Sequence, residues 1–450
     1  MTFNYLKGKI KTRQSKGAFH CFSKYEDFRL IGYFWRMNWF YRFGIYVLSV
    51  LLPVAGIFSP RIRHFLQGRK PVFKELQKFR NSASGQLAWL HVASLGEYEQ
   101  ARPIIAELKN SQPELKIAVS FFSPSGYDNV VKKPQPNVDF ITYLPLDRKS
   151  LAKKFVEILN PTLAFFVKYD LWPQHILALK AHEVPVFLVS AAFRPDHIYF
   201  RSNGFFRRIL FQLDYIFTQN QQSIELLNSI GFRKSEVAGD SRFDRVMSTA
   251  SNPKPFPEIK KWVGYKTTIV VGSVWEEDMQ ILIPLINSRP GYRWIIAPHD
   301  LNPQPMNSWS KEISLESCRY SEWNHEKPVD VLFIDNIGML SSLFQFAKVA
   351  YVGGAFGKGL HNILEPVGFG IPVVFGKLRK SEKFPEAAQS QLEGCGFEVK
   401  NVNELKAVFA RLEEEDFYLK SCKSAQIWVK SNLGTAEKIV EKVNKLMLRK

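Results

Sequence analysis

The chain has 450 residues, 46% of them apolar and 14% aromatic, which is too much for one ordinary core and enough for two. Only 23% are charged, and the 26 glycines and 25 prolines follow no period, so disordered, collagen-like and low-complexity classes are excluded. The formal charge is +19, yet residues 1–80 alone hold 16 Lys/Arg against 3 Asp/Glu, beside an apolar run; that pattern fits an anionic lipid surface and argues against a nucleic-acid partner.

Residues 1–36 are basic, aromatic and weakly periodic. They read as an extension without its own fold, with Met37 a place where a chain can begin. Residues 37–62 read as a membrane anchor. The stretch Phe43 to Phe58 (FGIYVLSVLLPVAGIF) carries no charge over its sixteen residues, against about 20 for a full span. Basic flanks (Arg36, Arg42, Arg61, Arg63, Arg69, Lys70) and the rings of Trp35, Trp39 and Tyr41 suit the headgroup level. Pro53 and Gly56 are expected to bend or weaken a helix here. A cleaved signal peptide fits poorly, because the run starts far from Met1. A buried core helix is the alternative to an anchor, which itself is read as either spanning or monotopic.

Residues 63–248 form the next region. Strands are expected at Leu87–Ala93, Lys116–Phe122, Phe140–Leu144, Leu163–Val167, Val186–Ala191 and Tyr215–Thr218, with a helix from about Tyr98 to Asn110. Near-continuous apolar strands alternating with helices predict a parallel sheet covered on both faces. Residues 249–262 (TASNPKPFPEIKKW) hold three prolines and read as a linker. The alternation restarts over 263–450, with strands at Thr267–Gly272, Trp294–Ala297, Val331–Asp335, Val349–Gly353 and Ile371–Phe375. Two doubly wound α/β domains facing a cleft follow, with ligands at the carboxyl ends of strands. Four widely spaced cysteines (Cys21, Cys318, Cys395, Cys422) offer neither a disulfide framework nor a zinc site, and imply a reducing cytosolic setting.

The chemistry-bearing residues fall at strand ends. Ser94-Leu95-Gly96-Glu97 closes the first strand; Glu97 is a candidate general base, or else a charge favoured at a helix start. Gly96 permits a tight turn or a close approach. Glu99, at helical spacing, is expected to point elsewhere. The run from Gly353 through Gly354, Gly357 and Gly359 to Asn362 feeds a helix opening near Asn362, a place for a phosphate or a turn needed only for packing. It matches neither a Walker A loop nor G-x-G-x-x-G. Glu365, one turn on, is placed to accept from ribose hydroxyls. Glu276, Glu277 and Asp278 read as helix-dipole acids. Pro298-His299 and Asp335-Asn336-Ile337-Gly338-Met339 follow two further strands. No D-x-D pair appears, so no metal–diphosphate site and no cofactor are expected.

Together these segments resemble the 3-deoxy-D-manno-octulosonic acid (Kdo) transferase family of lipopolysaccharide assembly. HVASLGE (91–97) resembles its S-x-G-E segment, FFSPSG (121–126) its Thr/Ser-Pro-x-Gly loop, and KYDLWP (168–173) its E-L-W-P. GDSRFD (239–244), DNIGML (335–340) and GLHNILEP (359–366) complete the set, in order, over residues 41 to the end. The resemblance implies a GT-B architecture of two Rossmann-like domains, N-terminal for the acceptor and C-terminal for the nucleotide sugar. It implies a CMP-Kdo donor, a lipid A precursor as acceptor, and the cytoplasmic face of the inner membrane. Glu97 then looks like the base in an inverting transfer, and Asp170 and Arg242 match positions that organise the sugar. Pro298, His299, Ile337, Gly338, Met339, Asn362, Ile363, Leu364 and Glu365 match CMP-holding segments. The chain departs from the pattern with Asp170 for Glu, Arg242 for Lys, His299 for Arg, and Lys168 where many members carry an acid. The competing readings are another GT-B enzyme using a UDP-sugar on a lipid or cell-wall acceptor, and a membrane-bound scaffold without catalysis.

Overall fold

The computed structural model describes residues 38–201, 204–325, 328–380 and 383–448; residues 1–36, read above as an extension, lie outside the described residues. The chain forms two compact units. The first holds the described residues up to Tyr98 together with Gln112–Val237, and the second holds Glu99–Ser111 with Ala238 onward.

The first unit is built on a seven-stranded sheet of β1 (Leu87–Val92), β2 (Lys116–Phe121), β3 (Phe140–Tyr143), β4 (Leu163–Val167), β5 (Val186–Ala191), β6 (Tyr215–Thr218) and β7 (Ser235–Val237). Their order is β3-β2-β1-β4-β5-β6-β7, and every pairing is parallel. β1, β4 and β5 are buried along their whole length, as strands covered by helices on both faces must be. The order reverses between β1 and β4, which is the switch point where such sheets bind ligands. Trp89, Phe155 and Phe166 pack together there, with ring centroids 5.2 and 5.6 Å from Trp89.

The second unit repeats the plan with β8 (Thr268–Val274), β9 (Arg293–Pro298), β10 (Ser317–Arg319), β11 (Val331–Phe333), β12 (Val349–Val352), β13 (Val373–Gly376) and β14 (Gly396–Val399). The order is β10-β11-β9-β8-β12-β13-β14, again all parallel. Its switch point lies between β8 and β12. Three short strands, β7, β10 and β14, went unread in the sequence. All three lie at sheet edges and are only partly buried, so no continuous apolar run marks them.

The proline-bearing stretch 249–262 is not a free linker. The helices Arg242–Ser251 and Pro257–Val263 take its two ends and leave 252–256 between them, with Ile259 and Val263 in the core and Trp262 Nε1 donating to the Val329 carbonyl at 2.8 Å. The units part instead at Val237/Ala238.

One helix among the described residues, Asn38–Phe58, is long and apolar enough to cross a membrane, with a mean hydropathy of 1.7 and 6% of its apolar window buried. That exposure overturns the buried-core alternative. The helix runs on through Pro53 and Gly56, so neither residue ends it. Gly56 is buried where the next helix, Pro60–Gln67, folds back with Arg63 alongside.

Candidate active site

Glu97 stands in the first turn of the Leu95–Ser111 helix, which begins three residues earlier than the spacing suggested. It is only 9% exposed, and Oε2 accepts from the Ala93 and Ser94 amides at 2.6 and 3.0 Å. The carboxylate therefore also caps the helix start. Burial pushes its pKa above the usual carboxylate value, against the nearby Lys168 charge and the two amide bonds. Gly96 beside it keeps an ordinary backbone, and a side chain there would meet nothing closer than Ser94 Oγ at 4.0 Å. The glycine that a close approach demands is Gly126: a Cβ there would sit 3.0 Å from the Leu95 amide nitrogen. It lets the Pro124–Val131 helix rest on the S-L-G-E turn.

Asp170 follows β4 across the same switch point. Burial, with the charge of Glu97 behind it, raises its carboxyl to about 6. Two like charges thus share this site, and their titrations are linked. Lys168, also within reach of Glu97, is held with φ +64°, a left-handed conformation that non-glycine residues rarely adopt. The two motifs are tied by a contact invisible in the sequence. Trp172 Nε1 donates to His91 Nε2 at 2.8 Å, and His91 Nδ1 meets Ser120 Oγ at 2.9 Å. Burial, then the neighbouring His175, pulls the His91 pKa down to about 3, so the ring is neutral. Its Nε2 accepts, and by the bonding pattern the proton rests on Nδ1.

The remaining candidates belong to the second unit. Arg242, expected in the N-terminal domain, opens the Arg242–Ser251 helix there and is clamped by Asp240 Oδ2 at 2.7 Å and Glu386 at 3.0 Å. Burial pulls its guanidinium down, and those two carboxylates outweigh this and push it up. Pro298 ends β9, and His299 follows it. The His299 ring stacks between Trp275 at 4.5 Å and His361 at 4.4 Å, and Lys358 Nζ lies 5.4 Å from the Trp275 ring centre. Burial lowers His299, and burial with His299 lowers His361 to about 4, so both imidazoles are neutral near pH 7. Buried His361 Nε2 and Trp275 Nε1 have no hydrogen-bond partner among the described residues. Trp275 gave no signal in the sequence beyond its place after a strand.

The glycine-rich run is a strand-to-helix turn knotted on Asp278. Its Oδ2 accepts from the Trp275 and Gly354 amides, both at 2.9 Å, and its Oδ1 accepts from Tyr351 Oη at 2.9 Å. A Cβ on Gly353 would collide with Asp278, and Gly354 has φ +95°. The helix expected to open near Asn362 is the short Leu364–Gly368, with Asn362 Oδ1 accepting from the Leu364 amide at 3.1 Å. Ile363 and Leu364 are buried and serve packing. Met339 is buried as well, Gly338 has φ +94°, and Ile337 is 75% exposed.

Burial, with the Glu99 charge added, raises Glu365 to about 7, against Arg245 and the Asn362 amide. Glu99 lies beside a candidate residue: its charge acts on Glu365, and it pairs with Arg245 at 3.0 Å. Arg245, like Trp275, was not revealed by the sequence, and neither was the approach of Glu99 to Glu365.

Residues 67–245 match the family model described as 3-Deoxy-D-manno-octulosonic-acid transferase (kdotransferase). A 3-deoxy-D-manno-octulosonic acid transferase of Aquifex aeolicus is 27% identical over 74% of this chain and 90% of its own length. The Haemophilus influenzae protein of that name is 25% identical over 78% of this chain and 83% of its own. Among solved structures, a putative UDP-N-acetylglucosamine 2-epimerase from Listeria monocytogenes superposes with a TM-score of 0.57 at 15% identity, over 82% of this chain and 98% of that one. MurG from Acinetobacter baumannii gives 0.52 at 12% identity, over 80% and 100%. Sequence kinship and two doubly wound units define a glycosyltransferase of the GT-B class, with one apolar N-terminal helix suited to membrane association. The likeness is to the 3-deoxy-D-manno-octulosonic-acid transferases, through the family model over residues 67–245 and through several relatives of that name.

Proposed function

We propose that this enzyme moves Kdo from CMP-Kdo to a lipid A precursor (lipid IVA), with inversion, at the cytoplasmic face of the inner membrane. The observation that carries the reading is the Glu97–Asp170 pair: one buried and one half-buried carboxyl, both raised above their ordinary values, at a topological switch point, on the segments that resemble S-x-G-E and L-W-P. An acceptor hydroxyl is a weak nucleophile. Glu97 takes its proton as the oxygen bonds to the Kdo anomeric carbon, while the bond to the CMP phosphate breaks on the opposite face. Asp170, raised by burial and by the Glu97 charge, orients the sugar. Arg242, fixed by Asp240 and Glu386, offers a planar cation to the donor's anionic groups.

CMP is assigned to Pro298, His299, Ile337, Gly338, Met339 and the Asn362–Glu365 segment. The unpartnered His361 Nε2 and Trp275 Nε1 beside His299 support a polar ligand there. With His299 neutral, nucleotide charge is met by Lys358 and backbone amides rather than by a histidine cation.

The test is incubation with CMP-Kdo and a tetraacyl lipid A precursor, with products read by mass spectrometry. Glu97→Gln is expected to lower kcat by about 10²–10⁴-fold, with CMP binding and melting temperature near wild type. Full turnover by that variant, with chemistry rate-limiting, would leave Glu97 as a helix cap. Thermal shifts by UDP that exceed those by CMP would favour the UDP-sugar alternative.

A further inference from the structure

The Asn38–Phe58 helix has 21 residues, so it is about 31 Å long at 1.5 Å per residue. Length alone allows it to cross a hydrocarbon core of about 30 Å. What lies beside it decides otherwise. At its start, Asn38 accepts from Gln174 Nε2 at 2.7 Å, and Tyr41 donates to the buried Asp147 at 2.7 Å. Near its middle, the Arg148 guanidinium lies 5.3 Å from the Tyr46 ring centre. Farther on, Leu48 and Leu52 border a cavity of 640 Å³ whose other wall includes Phe122, Ser123, Ser125 and Leu146. At its end the chain turns at Ser59, and Arg63 donates back to the Gly56 and Ile57 carbonyls at 3.1 and 2.8 Å. The returning helix is held by Phe65 on Phe122, 5.4 Å between centroids, and by Arg69 donating to the Leu144 and Phe122 carbonyls at 2.9 and 2.6 Å.

Both ends and the middle of the helix thus lie along the same folded unit. A transmembrane orientation would carry Arg148, Ser123 and their loops to hydrocarbon depth, with backbone that is neither helix nor closed barrel. The opposite face carries exposed apolar side chains at three- and four-residue spacing: Phe40, Phe43, Val47, Val50, Val54 and Ile57. Beside that stripe is a second cavity, of 490 Å³, bordered by Arg42, Arg148, Lys149 and Lys153 together with Trp39 and Tyr46. Within this group Lys153 Nζ pairs with Glu157 at 3.5 Å.

We propose that the helix lies in the plane of the membrane surface, its apolar stripe in the acyl boundary and both ends on the side of the folded unit. The cavity beside Tyr46 then sits at headgroup level and takes the phosphate of an anionic glycerophospholipid, between cations and interfacial rings. This does not rest on the transfer reaction assigned above.

The full chain, tagged at both termini, is tested for protease access in sealed membrane vesicles of each orientation. Both tags are expected to be digested from the same side. Digestion from opposite sides would overturn the in-plane placement. In a second arm, the full chain binds vesicles of phosphatidylglycerol or of phosphatidylcholine alone. The triple variant Arg148→Gln, Lys149→Gln, Lys153→Gln is expected to lose about five-fold in affinity per cation, about 100-fold together, on phosphatidylglycerol, with CMP binding unchanged. Equal binding to both vesicles, or an undiminished triple variant, would overturn the headgroup site.

Discussion

Trp172→Phe isolates the contact that joins the two motifs of the first unit. The substitution keeps a ring against Phe122, now 4.5 Å away between centroids, and deletes the indole N–H that His91 Nε2 accepts at 2.8 Å. His91 is buried and neutral, and its other nitrogen is committed to Ser120 Oγ, which also accepts from Trp89 Nε1 at 2.8 Å. The loss therefore strands a buried acceptor, a cost of about 1–3 kcal/mol. In a unit of this size each kcal/mol moves the midpoint by about 2–4 °C, so the transition of this unit should fall by about 2–12 °C in calorimetry of the full chain. Because Trp172 sits two residues after Asp170, the variant should also lower kcat while leaving CMP affinity intact, which a stability defect alone would not do. Ser120→Ala, which strands two donors at once, should cost more. A Trp172→Phe protein with unchanged melting and unchanged kcat would refute the claim that this bond positions the carboxyl pair.

Glu97→Gln removes the charge that, with burial, holds Asp170 at about 6. Asp170 should then ionise at lower pH in a carboxyl-carbon NMR titration, and an unmoved Asp170 would separate the two residues. Glu99→Gln removes the charge that helps hold Glu365 at about 7, so Glu365 should ionise at lower pH and the pH dependence of the donor KM should follow it; nucleotide titrations at several pH values check this. Gly354→Ala must place a side chain at φ +95° against the Gly359 carbonyl, and should weaken CMP binding and lower the melting point of the second unit. Asp170 and Glu365 also bind protons more tightly when folded, with pKa values of about 6 and 7 against 3.8 and 4.5. Their contribution to stability is full below about pH 4 and is lost as the pH rises through those values, so urea midpoints should decline over that window, less steeply in Asp170→Asn and Glu365→Gln.

The sequence by itself determined the two-domain α/β plan, because central parallel strands such as Leu163–Val167 and Val186–Ala191 are buried on both faces and read as unbroken apolar runs. It also located the glycosyltransferase motifs and the apolar helix, each being a local pattern of side chains or spacing. It missed Ser235–Val237 and Ser317–Arg319, edge strands that need no apolar run, and it misread 249–262, where Pro257 starts a helix rather than freeing a linker. Only the tertiary structure decided which side chains meet. Burial and neighbouring charge set Asp170 at about 6 and Glu365 at about 7, and neither quantity is a property of local sequence. The Trp172–His91 bond spans 81 positions and the Glu99–Arg245 pair 146, separations that only folding closes. The helix Asn38–Phe58 shows the same division: its composition gave its affinity for lipid, while the groups packed along it from Asn38 to Arg69 set its orientation, because hydrocarbon excludes the polar backbone and charges they carry.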